Sequence, residues 1–114
     1  MSLPHVFTYS NTVYVGDTDC SGVVYHGQYI NWLEVARVEA LNDMGCPYSV
    51  FLDQNIGFTP VDISIQYRKP LQFADRFTIH THFQKVKSAS FTIYSEISCK
   101  DEITTTATVR LACL

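Results

Sequence analysis

The chain has no apolar run long enough to cross a bilayer, so a membrane span is not expected. Positive charge is also scarce. Eight Lys and Arg stand against eleven Asp and Glu, a net charge of −3, whereas a general nucleic-acid binder carries a basic surplus. None of the four cysteines, Cys20, Cys46, Cys99 and Cys113, belongs to a CxxC pair. The opening residues MSLPHVFTYS lack the charged and apolar regions of a signal peptide. Together these absences lead us to expect reduced thiols and a cytoplasmic location. Repeats, linkers and low-complexity segments are missing too. With 46% hydrophobic and 17% charged residues, the composition is that of a globular protein and disorder is not expected.

What is present fits one domain over residues 1–114. A domain this small leaves apolar surface uncovered and gains from self-association. Seven of the eight basic residues, from Arg68 to Arg110, lie in the second half, which leaves room for a local phosphate-binding patch.

The period of the apolar residues changes twice. Val6 to Val15, with Phe7, Tyr9, Val13 and Val15, reads as a strand. Tyr29, Leu33, Ala36, Ala40 and Met44 then recur at helical spacing, flanked by Ile30 and Leu41, and Gly45 stands where a helix cap belongs. A short helix over Tyr48 to Gln54 follows. From Phe58 the period becomes two. Val61, Ile63, Ile65 and Tyr67 alternate with polar residues as a half-buried strand, closed by Pro70. Phe77 to Val86, Ser90 to Cys99 and Ile103 to Cys113 read as three further strands in hairpin order. Strands grouped after one helix predict an α+β domain whose sheet wraps that helix, with one wet face or a partner.

The chemistry concentrates between Gly16 and Arg37, in GDTDCSGVVYHGQYINWLEVAR. Two aspartates, Asp17 and Asp19, precede a Ser21-Gly22 turn, and the helix begins at or just after His26. A helix N-terminus carries unpaired N–H groups and partial positive charge, so it can stabilise an oxyanion. An aspartate facing it can act as nucleophile or general base. Turn-capping explains two loop aspartates equally well. His26 can serve through its ring or its backbone N–H, and Gly27 lets a ligand approach the first helical turn. A DxD cation site, a Cys20 nucleophile and a His80/His82 metal pair are weaker readings, each without an identifiable further ligand or activating group. No metal or other cofactor is expected. Glu34 and Arg37, three apart on the helix, are expected to interact.

The DTDCSGVVYHGQYINWLEVAR stretch resembles the hotdog-fold thioesterases, in particular the 4-hydroxybenzoyl-CoA and Tol–Pal-type short acyl-CoA thioesterases. QYRKPLQFAD, from Gln66 to Asp75, is similar to that family's second signature. The resemblance runs from about Phe7 to Arg110. It implies a hotdog fold, a long central helix wrapped by a five-stranded antiparallel sheet. It implies catalysis by Asp19, an oxyanion held by the backbone N–H of His26, and a site contribution from the His26 ring. The family usually forms dimers, often paired into tetramers, with sites at the interface. Lys85, Lys87 and Ser88 are the nearest matches to residues that hold CoA phosphates. One departure is Val15, where many Tol–Pal-type members carry tyrosine. Tyr14 lies one place earlier, and on a strand its ring points to the opposite face. A second is that the sequence stops with the last strand, without the longer tail many members have, which leaves coverage of CoA by a tail open.

The implied reaction is hydrolysis of an acyl-CoA or acyl-carrier-protein thioester, with fatty acyl chains favoured. Tyr25, Tyr29, Trp32 and Phe58 are candidate acyl contacts, each with core packing as its alternative. Aromatic acyl-CoA hydrolysis, Glu34 as the catalytic acid, a non-catalytic acyl-thioester binding module and a hotdog dehydratase are the rivals.

Overall fold

The computed structural model describes residues 6–87 and 89–113. Their order is β1 (Val6–Thr12), a 3-10 turn (Val15–Asp17), α1 (His26–Asp43), α2 (Tyr48–Asp53), β2 (Phe58–Tyr67), β3 (Arg76–Val86), β4 (Ser90–Cys99) and β5 (Glu102–Cys113). All five strands form one antiparallel sheet in the order β1-β3-β4-β5-β2. No helix is long and apolar enough to cross a membrane among the described residues.

Alternation sorts the sheet into two faces. Phe77, Ile79, Ile93, Ile97, Ala107, Val109 and Leu111 are buried on the face beneath α1. The opposite face carries Thr78, His80 and His82 on β3, Tyr94, Glu96 and Ser98 on β4, and Thr106 and Thr108 on β5. Most of these side chains are half-buried, Thr106 is buried and Thr108 exposed. The His80 ring nitrogen Nε2 lies 3.5 Å from Ser98 Oγ. Among the described residues no three His, Cys, Asp or Glu side chains converge as a metal-ligand set.

Helix α1 buries Tyr29, Trp32, Leu33, Ala36, Ala40 and Leu41. Trp32 anchors it on the sheet, its ring 4.4 Å from that of Phe77. The helix stops as Gly45 predicts. Gly45 takes φ +78, its N–H donates to Asn42 O and that of Cys46 to Leu41 O, the paired bonds of a Schellman motif.

Two expectations need correction. First, β1 ends at Thr12 and not at Val15. Its pairing with β3 runs out at Thr12↔Arg76, and the 72–75 turn closes over it, with Val13 N–H on Asp75 O and Ala74 N–H on Val13 O. The chain then coils into the 3-10 turn, leaving both Tyr14 and Val15 exposed. The period-two argument for where Tyr14 points therefore does not apply. Second, β2 is not half-buried within the protomer. Val61, Ile63 and Tyr67 are 48%, 40% and 48% exposed. The strand occupies the sheet edge, paired with β5 alone among the described residues; of its four alternating apolar residues Ile65 packs against the core and Tyr67 meets α1 at Tyr29 and His26.

Candidate active site

Between β1 and α1 the chain folds back on itself as a miniature hairpin. Thr18 and Val24 form its bridge. Asp19 N–H donates to Val23 O at 2.9 Å, and Tyr25 N–H donates to Asp17 O at 3.1 Å. Gly22, at φ +85, makes the reversal and donates to Asp19 O. This return path carries the chain directly from the acidic loop into the first turn of α1. A second bridge, Val23↔Gln72, and the Val24 N–H bond to Leu71 O tie the hairpin to the segment before β3.

The two aspartates have different occupations. Asp17 Oδ2 accepts the Tyr14 N–H at 2.9 Å and so caps the 3-10 turn. Asp19 is exposed, and its Oδ1 accepts both the N–H of Ser21 at 2.8 Å and the Ser21 hydroxyl at 2.5 Å. Those bonds, the hydroxyl's first, hold its carboxyl below the usual carboxylate range. Asp19 is therefore ionised at neutral pH, with Oδ2 uncommitted among the described residues.

Tyr25 precedes α1 as its N-cap without a side-chain cap. The backbone N–H groups of His26 and Gly27 find no acceptor among the described residues. They are the bare donors that a helix start offers an anion. The Tyr25 ring leans on the His26 ring at 4.8 Å and covers Gly27 closely enough that a Cβ there would meet it at 2.5 Å. The space kept open by Gly27 thus holds an exposed tyrosine ring.

His26 also borders a cleft of ≈ 210 Å³ shared with Tyr29, Tyr67, Arg68 and Lys69. Tyr67 donates its hydroxyl to His26 O at 3.2 Å. Tyr29 is buried, accepts the Leu71 N–H at 3.2 Å and packs edge-on against Trp32 and Tyr67. Burial raises its phenol pKa. The sequence marks Tyr67 only as a strand residue and Arg68 and Lys69 only as part of the basic second half, and assigns none of them to the site.

Phe58 and Lys87 lie elsewhere. They belong to a second, larger cavity of ≈ 320 Å³ at the far end of α1, walled by Leu41, Met44, Phe51, Ile56 and Phe83. Lys85 is exposed near that end of β3, and Ser88 lies outside the described residues. Eighteen helical residues, about 27 Å, separate this end of α1 from His26. One protomer therefore does not bring Phe58, Lys85 or Lys87 to Asp19. Glu34 lies between the two ends, largely exposed and 3.6 Å from Arg37, the pair that their spacing predicted.

The comparisons agree with this architecture. Residues 13–114 match the family model of the thioesterase-like superfamily. The acyl-CoA thioesterase YbgC of Haemophilus influenzae is 29% identical over 113 residues, spanning 98% of this chain and 83% of its own. A 1,4-dihydroxy-2-naphthoyl-CoA hydrolase of Nostoc punctiforme is 28% identical over 109 residues, 95% of this chain and 74% of its own. The structure of a gentisyl-coenzyme A thioesterase superposes with a TM-score of 0.88 at 29% identity, covering 93% of this chain and 86% of that one. An antiparallel sheet of five strands around one long helix, matched to a family model over nearly its whole length, places this chain in the thioesterase-like superfamily, with the hotdog fold.

Proposed function

We propose that this thioesterase hydrolyses fatty acyl-CoA, with Asp19 as the reacting carboxylate and the His26 N–H as the oxyanion donor. The observation that carries the reading is the hairpin that fastens an ionised aspartate beside a helix start whose first N–H groups are unpaired. Asp19 Oδ2 attacks the thioester carbon, or takes the proton of a water that does so. The charge that builds on the carbonyl oxygen meets the His26 N–H and the positive end of α1. The thiolate of CoA then departs without needing a strong acid and takes up a proton; where Asp19 attacked directly, water hydrolyses the acyl-aspartyl anhydride that is left, releasing the free acid. The Tyr67 bond to His26 O steadies the turn that presents this donor.

The working unit is a homodimer. The free edge of β2 exposes Val61, Ile63 and Tyr67, and a groove lined by Ile30, Leu33, Pro60 and Ile63, with Asn31, Glu34 and Arg37 on its helix side, runs between it and α1. Apolar residues along an unpaired strand edge are costly in water and invite a second strand. The free cysteines suit the reducing cytoplasm.

Thiol release from a panel of acyl-CoAs tests the reading, with wild type and Asp19→Asn side by side. Asp19→Asn should lower kcat by about 10²–10⁴-fold, the usual worth of a positioned base, with an unchanged fold. An Asn variant that turns over at the wild-type rate removes Asp19 from the mechanism. Glu34→Ala, by contrast, should leave the rate within about threefold, because its carboxylate contacts only Arg37 at the surface.

A further inference from the structure

Tyr25 has no part in the attack by Asp19 or in the donation by the His26 N–H. Its ring is 56% exposed, its side chain does not cap α1, and its hydroxyl meets no hydrogen-bond partner among the described residues. The backbone nevertheless holds the ring in one definite place.

The hairpin sets its direction. Thr18 and Val24 are the bridge pair, and the hydrogen bonds on either side of it set Asp19 opposite Val23 and Asp17 opposite Tyr25. Side chains alternate between the two faces of such a pair. Val24 is buried and takes the inner face. Val23 and Tyr25, with Asp19 across from them, therefore share the outer one. Asp19 and Tyr25 are diagonal neighbours on that face, a spacing that an aromatic side chain can span.

The helix sets where the ring comes to rest. A helical Cα–Cβ bond tilts toward the N-terminus, the end at which the first N–H groups are unpaired. At Gly27 the Tyr25 ring fills that direction. Its Cε2 lies 2.5 Å, and its Cδ2 and Cζ 3.2 Å, from the point a Cβ would take. The ring also leans on that of His26 at 4.8 Å. It stands beside the bare donors of the first turn, on the face that carries Asp19.

We infer that Tyr25 is a further residue of the hydrolysis: its ring, seated on Gly27, walls the oxyanion position and keeps water off the donors while the tetrahedral intermediate forms. The inference rests on the thioesterase reading. N–H groups aimed at a developing charge act more strongly where water is excluded, because water screens the charge and competes for the bonds. A helix start as exposed as this one needs a side chain to provide that exclusion. The same seat gives Gly27 its function. The missing side chain at 27 makes room for the ring and not for a ligand.

Thiol release from an acyl-CoA that wild type hydrolyses tests the wall, with Tyr25→Ala, Gly27→Ala, the double variant and Tyr25→Phe. Tyr25→Ala should lower kcat at least about tenfold and leave KM within about threefold, the pattern of an interaction made in the transition state. Gly27→Ala keeps the tyrosine but fills its seat, so kcat should fall by a similar factor. Its thermal midpoint should not fall, since alanine suits a helix better than glycine. A slower enzyme that is no less stable rules out misfolding as the cause.

The double variant separates the two uses of Gly27. If the seat serves the ring, nothing remains to be displaced once Tyr25 is gone, and the double should match Tyr25→Ala within about twofold. If the seat admits substrate, the two losses multiply to about a hundredfold and the inference is overturned. Tyr25→Phe keeps the ring and should hold kcat within about threefold of wild type, whereas a loss of about tenfold would assign the effect to the hydroxyl and overturn the wall. Tyr25→Ala at or above the wild-type kcat, the mark of a ring that only obstructs, overturns it as well. That result leaves the thioesterase reading standing as long as Asp19→Asn is inactive. A wild type that releases no thiol from any acyl-CoA sinks that underlying reading instead.

Discussion

Ser21 sets the acidity of Asp19. Its hydroxyl and its N–H both donate to Oδ1, and both favour the charged carboxylate. Ser21→Ala removes the stronger of the two, so the Asp19 pKa should rise toward its ordinary value of about 3.9. The acid limb of the pH profile of kcat/KM should move to higher pH, while the rate on the neutral plateau stays within a few-fold. A limb that does not move would mean that another group titrates there. The sign for stability is consistent. A depressed folded-state pKa contributes stability above the unfolded value, and that contribution fades as pH falls through the folded one. The division of labour between Asp17 and Asp19 was not legible from their spacing, because both are loop aspartates two residues apart. It follows from what each carboxylate holds: Asp17 caps the 3-10 turn through the Tyr14 N–H, whereas Asp19 is held by Ser21 in the hairpin that returns to α1. His26, in contrast, could be read as the helix start, because the apolar stripe beginning at Tyr29 leaves only the first turn ahead of it.

The elements were the most legible layer where their signals are local. Helix α1, the β4 limits and the Gly45 cap follow from periodicity and from the one residue type that tolerates the left-handed cap. Gly45→Ala places a Cβ in that conformation and should cost about 1 kcal/mol. Thermal unfolding should show it as a midpoint about 4 °C lower, with thiol release unaltered because the cap lies at the opposite end of the helix from Asp19. An unchanged midpoint would mean that the cap is dispensable. The end of β1 was not legible. Val13 and Val15 continue the strand pattern, yet the strand stops because the 72–75 turn takes the Val13 backbone bonds. That competitor lies some sixty residues away, where no local window reaches.

At the scale of the whole molecule, the decisive feature is the β2 edge. Pro60 was the available signal, since a residue without an N–H sits most readily in an edge strand, but the alternation around it suggested burial within the protomer. Ile63→Asp should leave each protomer folded, because Ile63 is 40% exposed there. In a dimer paired along this edge it would bury uncompensated charge, so sedimentation should show monomers and acyl-CoA hydrolysis should fall at least about tenfold. A stable Ile63→Asp dimer would place the interface elsewhere. By itself the sequence determined the secondary structure, the α+β class and the pairing of an acidic loop with a helix start, because these depend on residues within a turn or two of one another. Only the tertiary structure decided that β2 lies at an edge and that Phe58 and Lys87 sit a helix length from Asp19. Strand order and the distance between sites depend on which segments meet across the sheet, and periodicity, the same for an edge strand as for a central one, carries no record of that.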